Sequence, residues 1–204
     1  MSSMIPDPET YFRQFIPPRD ALLLEIEAEA EKEDIPIVGP VVGELLFLLA
    51  RAARARRILE LGTANGYSAI YLARAFQDKK GRLVTLEMHH GMAERARSNF
   101  RKAGLGHCIE ITVGDASEEM SKMTVPFDFI FMDIDKEHYV HVLDYCRRLL
   151  NVGGLLVADN VGFEDATDFN RKIFDDPHWK CVHLHALLPR HSPEKDGLCL
   201  AVRV

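Results

Sequence analysis

Phe127-Asp128-Phe129-Ile130-Phe131-Met132-Asp133 and Gly154-Leu155-Leu156-Val157-Ala158-Asp159-Asn160 are two nearly unbroken apolar runs, each closed by a carboxylate. Runs of this kind are what a parallel sheet covered on both faces requires, whereas strands with one wet face alternate. Between them, Lys136 to Leu150 repeats apolar residues at helical spacing: Tyr139, Val142, Leu143, Cys146, Leu149 and Leu150. A strand–helix–strand crossover is right-handed and returns the second strand parallel to the first, with both carboxyl ends at one sheet edge. As neighbours about 4.8 Å apart, these strands would crowd Asp133 against Asp159 and Asn160. Two unpaired carboxylates so close repel, and a divalent cation relieves the repulsion. Three oxygen side chains suit a hard ion, Mg2+ first, with Ca2+ or Mn2+ as alternatives. Taken singly, each of these residues is equally at home as a turn former or helix cap. Their convergence, with Lys136 beside them, marks a site.

Working outward, the same alternation continues on both sides. Upstream, Ile58–Leu61 reads as a strand, the segment 62–66 as a loop and Tyr67–Phe76 as a helix. Leu83–Glu87 is a second strand, Gly91–Ala103 a helix stopped by Gly104, and Ile109–Val113 a third strand leading into Gly114-Asp115-Ala116 and a short helix. Downstream, Glu164–Phe174 is helical, and Lys180–Leu187 and Leu198–Val204 form an antiparallel pair. At the N-terminus, Pro6, Pro8, Pro17 and Pro18 leave residues 1–18 irregular, followed by helices over Asp20–Asp34 and Val41–Ala55. The expected class is α/β, a Rossmann-like doubly wound sheet in one domain over residues 1–204. Such sheets bind ligands beyond the carboxyl ends of their strands.

Composition narrows the field. The 204 residues carry a formal charge of −6, which disfavours nucleic acid and anionic membranes as general partners. Cys108, Cys146, Cys181 and Cys199 are scattered without zinc or redox spacing, so buried free thiols in a reducing, cytoplasmic setting are expected. The longest apolar stretch, near Val41 to Ala53, is interrupted by Glu44 and Arg51 and is too short to span a bilayer. His138 with His141, and His183 with His185, are read as surface pairs rather than metal ligands.

The glycine loop decides the cofactor class. Gly62 and Gly66 lie four apart with no middle glycine, and no phosphate-loop lysine follows. The middle glycine is what lets a pyrophosphate approach the backbone, so NAD and ATP are disfavoured. Glu87, closing the second strand, stands where an acid would accept from both ribose hydroxyls. A nucleoside without a pyrophosphate fits S-adenosylmethionine. Glu60 is a carboxylate inside an apolar strand, costly unless paired. A nicotinamide oxidoreductase and a non-catalytic nucleoside-binding module stand as the rival readings.

Three motifs in order, Ile58-Leu59-Glu60-Leu61-Gly62-Thr63-Ala64-Asn65-Gly66-Tyr67-Ser68, Phe131-Met132-Asp133-Ile134-Asp135-Lys136 and Ala158-Asp159-Asn160, resemble the cation-dependent O-methyltransferases, which include catechol and caffeoyl-coenzyme A O-methyltransferases. The resemblance runs from about Val38 to the C-terminus. It implies a seven-stranded sheet with an antiparallel last strand, a homodimer, and a phenolic small-molecule acceptor held partly by the segment 1–55. It further implies that Glu60, Gly62, Thr63 and Ser68 contact the methionine side of S-adenosylmethionine, Glu87 its ribose, Ala116 its adenine, and Val38 its outer face. Asp133, Asp159 and Asn160 match the metal ligands, Asp133 standing also beside the cofactor and at the chemistry, and Lys136 matches the general base. Catechol methyltransferases place a substrate-binding Glu just before an Asp-Gly pair near the C-terminus. Here Asp196-Gly197 follows Leu188-Pro189-Arg190-His191, with Glu194 the only nearby acid, so the acceptor side departs from that pattern.

Overall fold

The computed structural model describes residues 3–76 and 80–204. Seven strands form one sheet in the order β3-β2-β1-β4-β5-β7-β6. The strands are β1 (Arg57–Leu61), β2 (Arg82–Glu87), β3 (Ile109–Val113), β4 (Phe127–Met132), β5 (Leu150–Ala158), β6 (Trp179–Leu187) and β7 (Lys195–Arg203). The pairs β1–β2, β2–β3, β1–β4 and β4–β5 are parallel, while β7 runs antiparallel to both β5 and β6. Six strands therefore share one direction and β7 opposes them. The order turns back on itself between β1 and β4, where a doubly wound sheet opens its crevice.

Alternate residues of the central strands feed two cores, which is why the runs are apolar throughout. Ile58, Phe129, Phe131 and Val157 pack on one face beneath α3 (Gly39–Ala52) and α4 (Tyr67–Arg74). Leu59, Ile130, Met132 and Leu156 pack on the other with α7 (Tyr139–Leu149) and α8 (Thr167–Asp175). In α7 the buried positions are Tyr139, Val142, Leu143, Cys146 and Leu149, the stripe its spacing predicts.

Several boundaries differ from the expectation, each for a local reason. Lys136–His138 is a 3-10 turn rather than the first turn of the helix, with the His138 amide donating to the Asp135 carbonyl at 3.0 Å. Leu150 already belongs to β5, so Asp159 and Asn160 stand just past the strand. The N-terminus is less irregular than its prolines imply: Asp7 caps a short α1 (Pro8–Phe12), with Pro8 in the first turn, where its missing amide costs nothing. The first long helix, α2, covers Ala21–Lys32, and α3 begins at Gly39 rather than Val41. On the far side of β2, α5 (His90–Lys102) and α6 (Ala116–Lys122) complete the layers. Among the described residues, no helix is long and apolar enough to cross a membrane.

Candidate functional site

The hydrogen-bond ladder runs one residue past the strand ends and thereby sets the site. The Asp133 amide donates to the Leu61 carbonyl (2.8 Å), the Asp159 amide to that of Met132 (3.0 Å), and the Gly62 amide to that of Leu86 (3.0 Å). Asp133, Asp159 and the glycine loop so leave the sheet in register at one edge. Tyr139 reinforces this, its buried hydroxyl lying 2.9 Å from the Asp159 carbonyl and 3.2 Å from that of Met132.

Asp133 and Asp159 each have a basic side chain beside them. Lys136 donates from Nζ to Asp133 Oδ1 at 2.9 Å and to the Ile134 carbonyl at 3.0 Å. His191 places Nε2 2.8 Å from Asp159 Oδ2 and 3.0 Å from Oδ1. Burial and the neighbouring Asp159 charge push the Asp133 carboxyl above its usual value, with Lys136 pulling against them. Burial pushes His191 down, but the hydrogen bond and charge of Asp159 outweigh it, and the imidazole ends above its usual value. Asn160, in the left-handed region at φ 50°, directs its amide nitrogen at Asp196 Oδ2 (2.5 Å) and the Ser192 carbonyl (3.2 Å). Both partners can only accept, so the amide orientation is settled and Oδ1 is the atom left over.

Beside the acids, the glycine loop wraps Glu87. That carboxylate accepts from the amides of Thr63 (3.2 Å), Ala64 (2.8 Å) and His89 (2.8 Å), so it clamps the loop as well as facing the cavity. Gly62 is required where it stands: at φ +92°, a Cβ would sit 2.0 Å from the Asp133 carbonyl oxygen. Glu60 is fully buried. One carboxylate oxygen accepts from Thr85 Oγ1 at 2.6 Å and the other has no partner. Burial pushes this carboxyl up to about 8, against the hydrogen bond from Thr85.

These groups surround a cavity of about 510 Å3. Asp133, Lys136, Asp159 and Asn160 line it, as do Gly62, Thr63, Ser68 and Glu87 on the loop side and Val38 and Ala116 at its walls. Glu60 does not; it lies behind the floor. Among the described residues of the segment 1–55, only residues 33–38 reach the cavity. The sequence reading missed His191 and Asp196, which enter because β7 carries Asp196 beside Asn160 and the loop before it turns His191 inward. Their only signal was the departure from pattern around Asp196-Gly197. Glu194 points elsewhere, held by Arg13 at 2.9 and 2.5 Å and by the Arg190 amide. Among the described residues, no three His, Cys, Asp or Glu side chains are placed to hold a metal ion together. The pairs His138/His141 and His183/His185 form no such group either.

Residues 20–185 match the O-methyltransferase family. A catechol O-methyltransferase from Niastella koreensis is 42% identical over 147 residues, 70% of this chain and 66% of the relative. One from Mycobacterium tuberculosis is 37% identical over 159 residues, 76% of this chain and 72% of the relative. Among solved structures, an O-methyltransferase from Bacillus cereus in complex with SAH superposes with a TM-score of 0.86 at 30% identity, covering 97% of each chain.

Proposed function

The chain belongs to the O-methyltransferase family, and from that premise we propose that it transfers a methyl group from S-adenosylmethionine to one hydroxyl of a catechol-type acceptor. One observation carries the reading: two buried-edge carboxylates and a fixed amide oxygen beside a nucleoside-sized cavity walled by a glycine loop and Glu87. The donor set is all oxygen on the cavity side, and Asn160 has its nitrogen already spoken for, which fits a hard dication held by Asp133, Asp159 and Asn160. Such an ion, when bound, polarises an acceptor hydroxyl and favours its phenolate form.

The chain's own residues do the rest. The cavity wall from Glu33 to Val38 and the glycine loop hold acceptor and donor in line, which is where displacement at a methyl carbon gains most. As the new O–C bond forms, the C–S bond breaks and sulfur keeps the electron pair. The phenolic proton goes to Nζ of Lys136, which can take it only after giving up one of its own ammonium protons to solvent. Glu87 binds the ribose with whatever acceptor capacity its three amide contacts leave.

Methyl transfer to catechol, followed by chromatography with and without EDTA, tests this. Asp133→Asn and Lys136→Met should each lower kcat/KM by about 100-fold or more while S-adenosylhomocysteine binding persists. Turnover that survives both chelation and the Lys136 change would sink the proposal.

A further inference from the structure

We propose that Glu27 is a positioning residue for the acceptor: a buried clasp that sets where the cavity wall of residues 33–38 stands. The inference rests on the methyl-transfer reading and deepens it. Glu27 lies in α2, which also buries Leu23, Ile26 and Ala30, and it is only 7% exposed. Three segments reach its carboxylate. The Tyr67 hydroxyl donates to Oε1 at 2.6 Å, and Arg19 Nε lies 3.0 Å from Oε1 and 3.4 Å from Oε2. Arg190 Nη1 stands 3.7 Å from Oε2. Tyr67 opens α4 directly after the glycine loop and lines the cavity, and Arg190 belongs to the loop that brings His191 and Ser192 to it. One carboxylate thus joins α2 to two elements that wall the cavity.

Taking a carboxylate out of water is unfavourable, and attraction to a partner such as Arg19 offsets it only with good geometry. Helix α2 and its two ends have other ties to the body. These are the three buried apolar side chains and the ion pairs from Asp20 to Arg74, Glu25 to Lys102 and Glu33 to Arg95. What Glu27 adds is direction, because a hydrogen bond fixes distance and angle while apolar burial is indifferent to both. The wall inherits that placement. The Glu33 amide donates back to the Glu29 carbonyl at 3.1 Å, and the Ile35 amide to that of Ala30 at 2.9 Å. At its far end the wall meets Gly39, where a Cβ would lie 2.5 Å from the Arg190 carbonyl oxygen. Asp133 and Lys136 stand outside this set of contacts, so the clasp acts on acceptor binding and not on the chemical step.

The test is steady-state transfer to catechol at saturating S-adenosylmethionine for wild type, Glu27→Ala, Glu27→Gln and Tyr67→Phe. Amide hydrogen exchange is followed on the same proteins. Glu27→Ala should raise KM for catechol about tenfold, the low end of what a hydrogen bond to a charged group is worth as a ratio, with kcat at saturation unchanged. Glu27→Gln can still accept from Tyr67, and Tyr67→Phe keeps Arg19 on the carboxylate, so each should fall between Glu27→Ala and wild type. Exchange over residues 33–38 should quicken in the same order, and more than over β4. A purely structural role would lower the melting temperature and the amount of active enzyme, hence kcat, with KM unchanged; that result overturns the clasp. Should Glu27→Ala not fold, Tyr67→Phe against wild type decides by the same split. If no protein methylates catechol, wild type included, the catechol reading fails and exchange alone judges the clasp. Quickened exchange over residues 33–38 in the Glu27 variants then upholds it, and unchanged exchange overturns it.

Discussion

Glu60 shows what one side chain can ask of a fold. It sits in β1 among Leu59 and Leu61 with no solvent contact, and its only hydrogen bonds come from one side. Its carboxyl titrates at about 8 rather than near the ordinary 4.5. The folded protein therefore holds an extra proton between those two values, and its stability falls as pH rises through that window. In ligand-free protein, Glu60→Gln should leave stability near pH 4.5 unchanged and raise it above pH 8, by a few kcal/mol on the scale of about 1.4 kcal/mol per pH unit. Melting temperatures measured from pH 5 to 9 check this; parallel curves for the two proteins would refute it. Asp133 and Asp159 stand nearer the cavity, each within hydrogen-bonding distance of a basic side chain, Lys136 and His191 respectively.

At the scale of elements, the turn after β1 is closely constrained. The loop must pass under the backbone of the turn after β4, and only a residue without Cβ can do so at φ +92°. Gly62→Ala brings both a clash with backbone and an unfavourable dihedral, and strain of that kind costs about 1–3 kcal/mol before any rearrangement. Urea unfolding should show at least that loss, with S-adenosylhomocysteine affinity falling in parallel because Thr63 and Ala64 are tied to Glu87 through the same loop. An unchanged midpoint would mean that the loop has room that the geometry denies it. The loop before β7 is held differently, by ion pairs: Arg13 and Glu9 of the N-terminal segment reach Glu194 and Lys195. Glu194, the only acid near Asp196-Gly197, is thereby tied to Arg13 just past the end of α1.

For the molecule as a whole, the sheet order matters more than any single contact. Placing β4 against the opposite side of β1 from β2 brings the two halves of the alternating chain to one crevice, between two separate cores. A ligand there touches loops from both halves and should stabilise them together. S-adenosylhomocysteine at 100 times its dissociation constant should add about 2.7 kcal/mol, which for a chain of this size is a rise in melting temperature of roughly 5–10 °C. Differential scanning fluorimetry measures it directly. A shift with NADH and none with S-adenosylhomocysteine would favour the nicotinamide oxidoreductase reading instead.

What the chain's linear order determined is the periodic part of this protein. Unbroken apolar strands ending in acids, a helix of correct stripe between them, and a glycine turn lacking its middle glycine can all be read residue by residue, because burial on two faces demands them wherever the strands lie. Element ends were harder, since Pro8 in a first turn or Lys136 in a 3-10 turn depends on local hydrogen bonds rather than on period. Only the tertiary structure decided that His191 and Asp196, 32 and 36 residues from the groups they hold, would close the site, and that Glu194 would not. Those pairings come from an antiparallel strand inserted beside β5, and a contact made by strand pairing at such a distance leaves no period along the chain to reveal it.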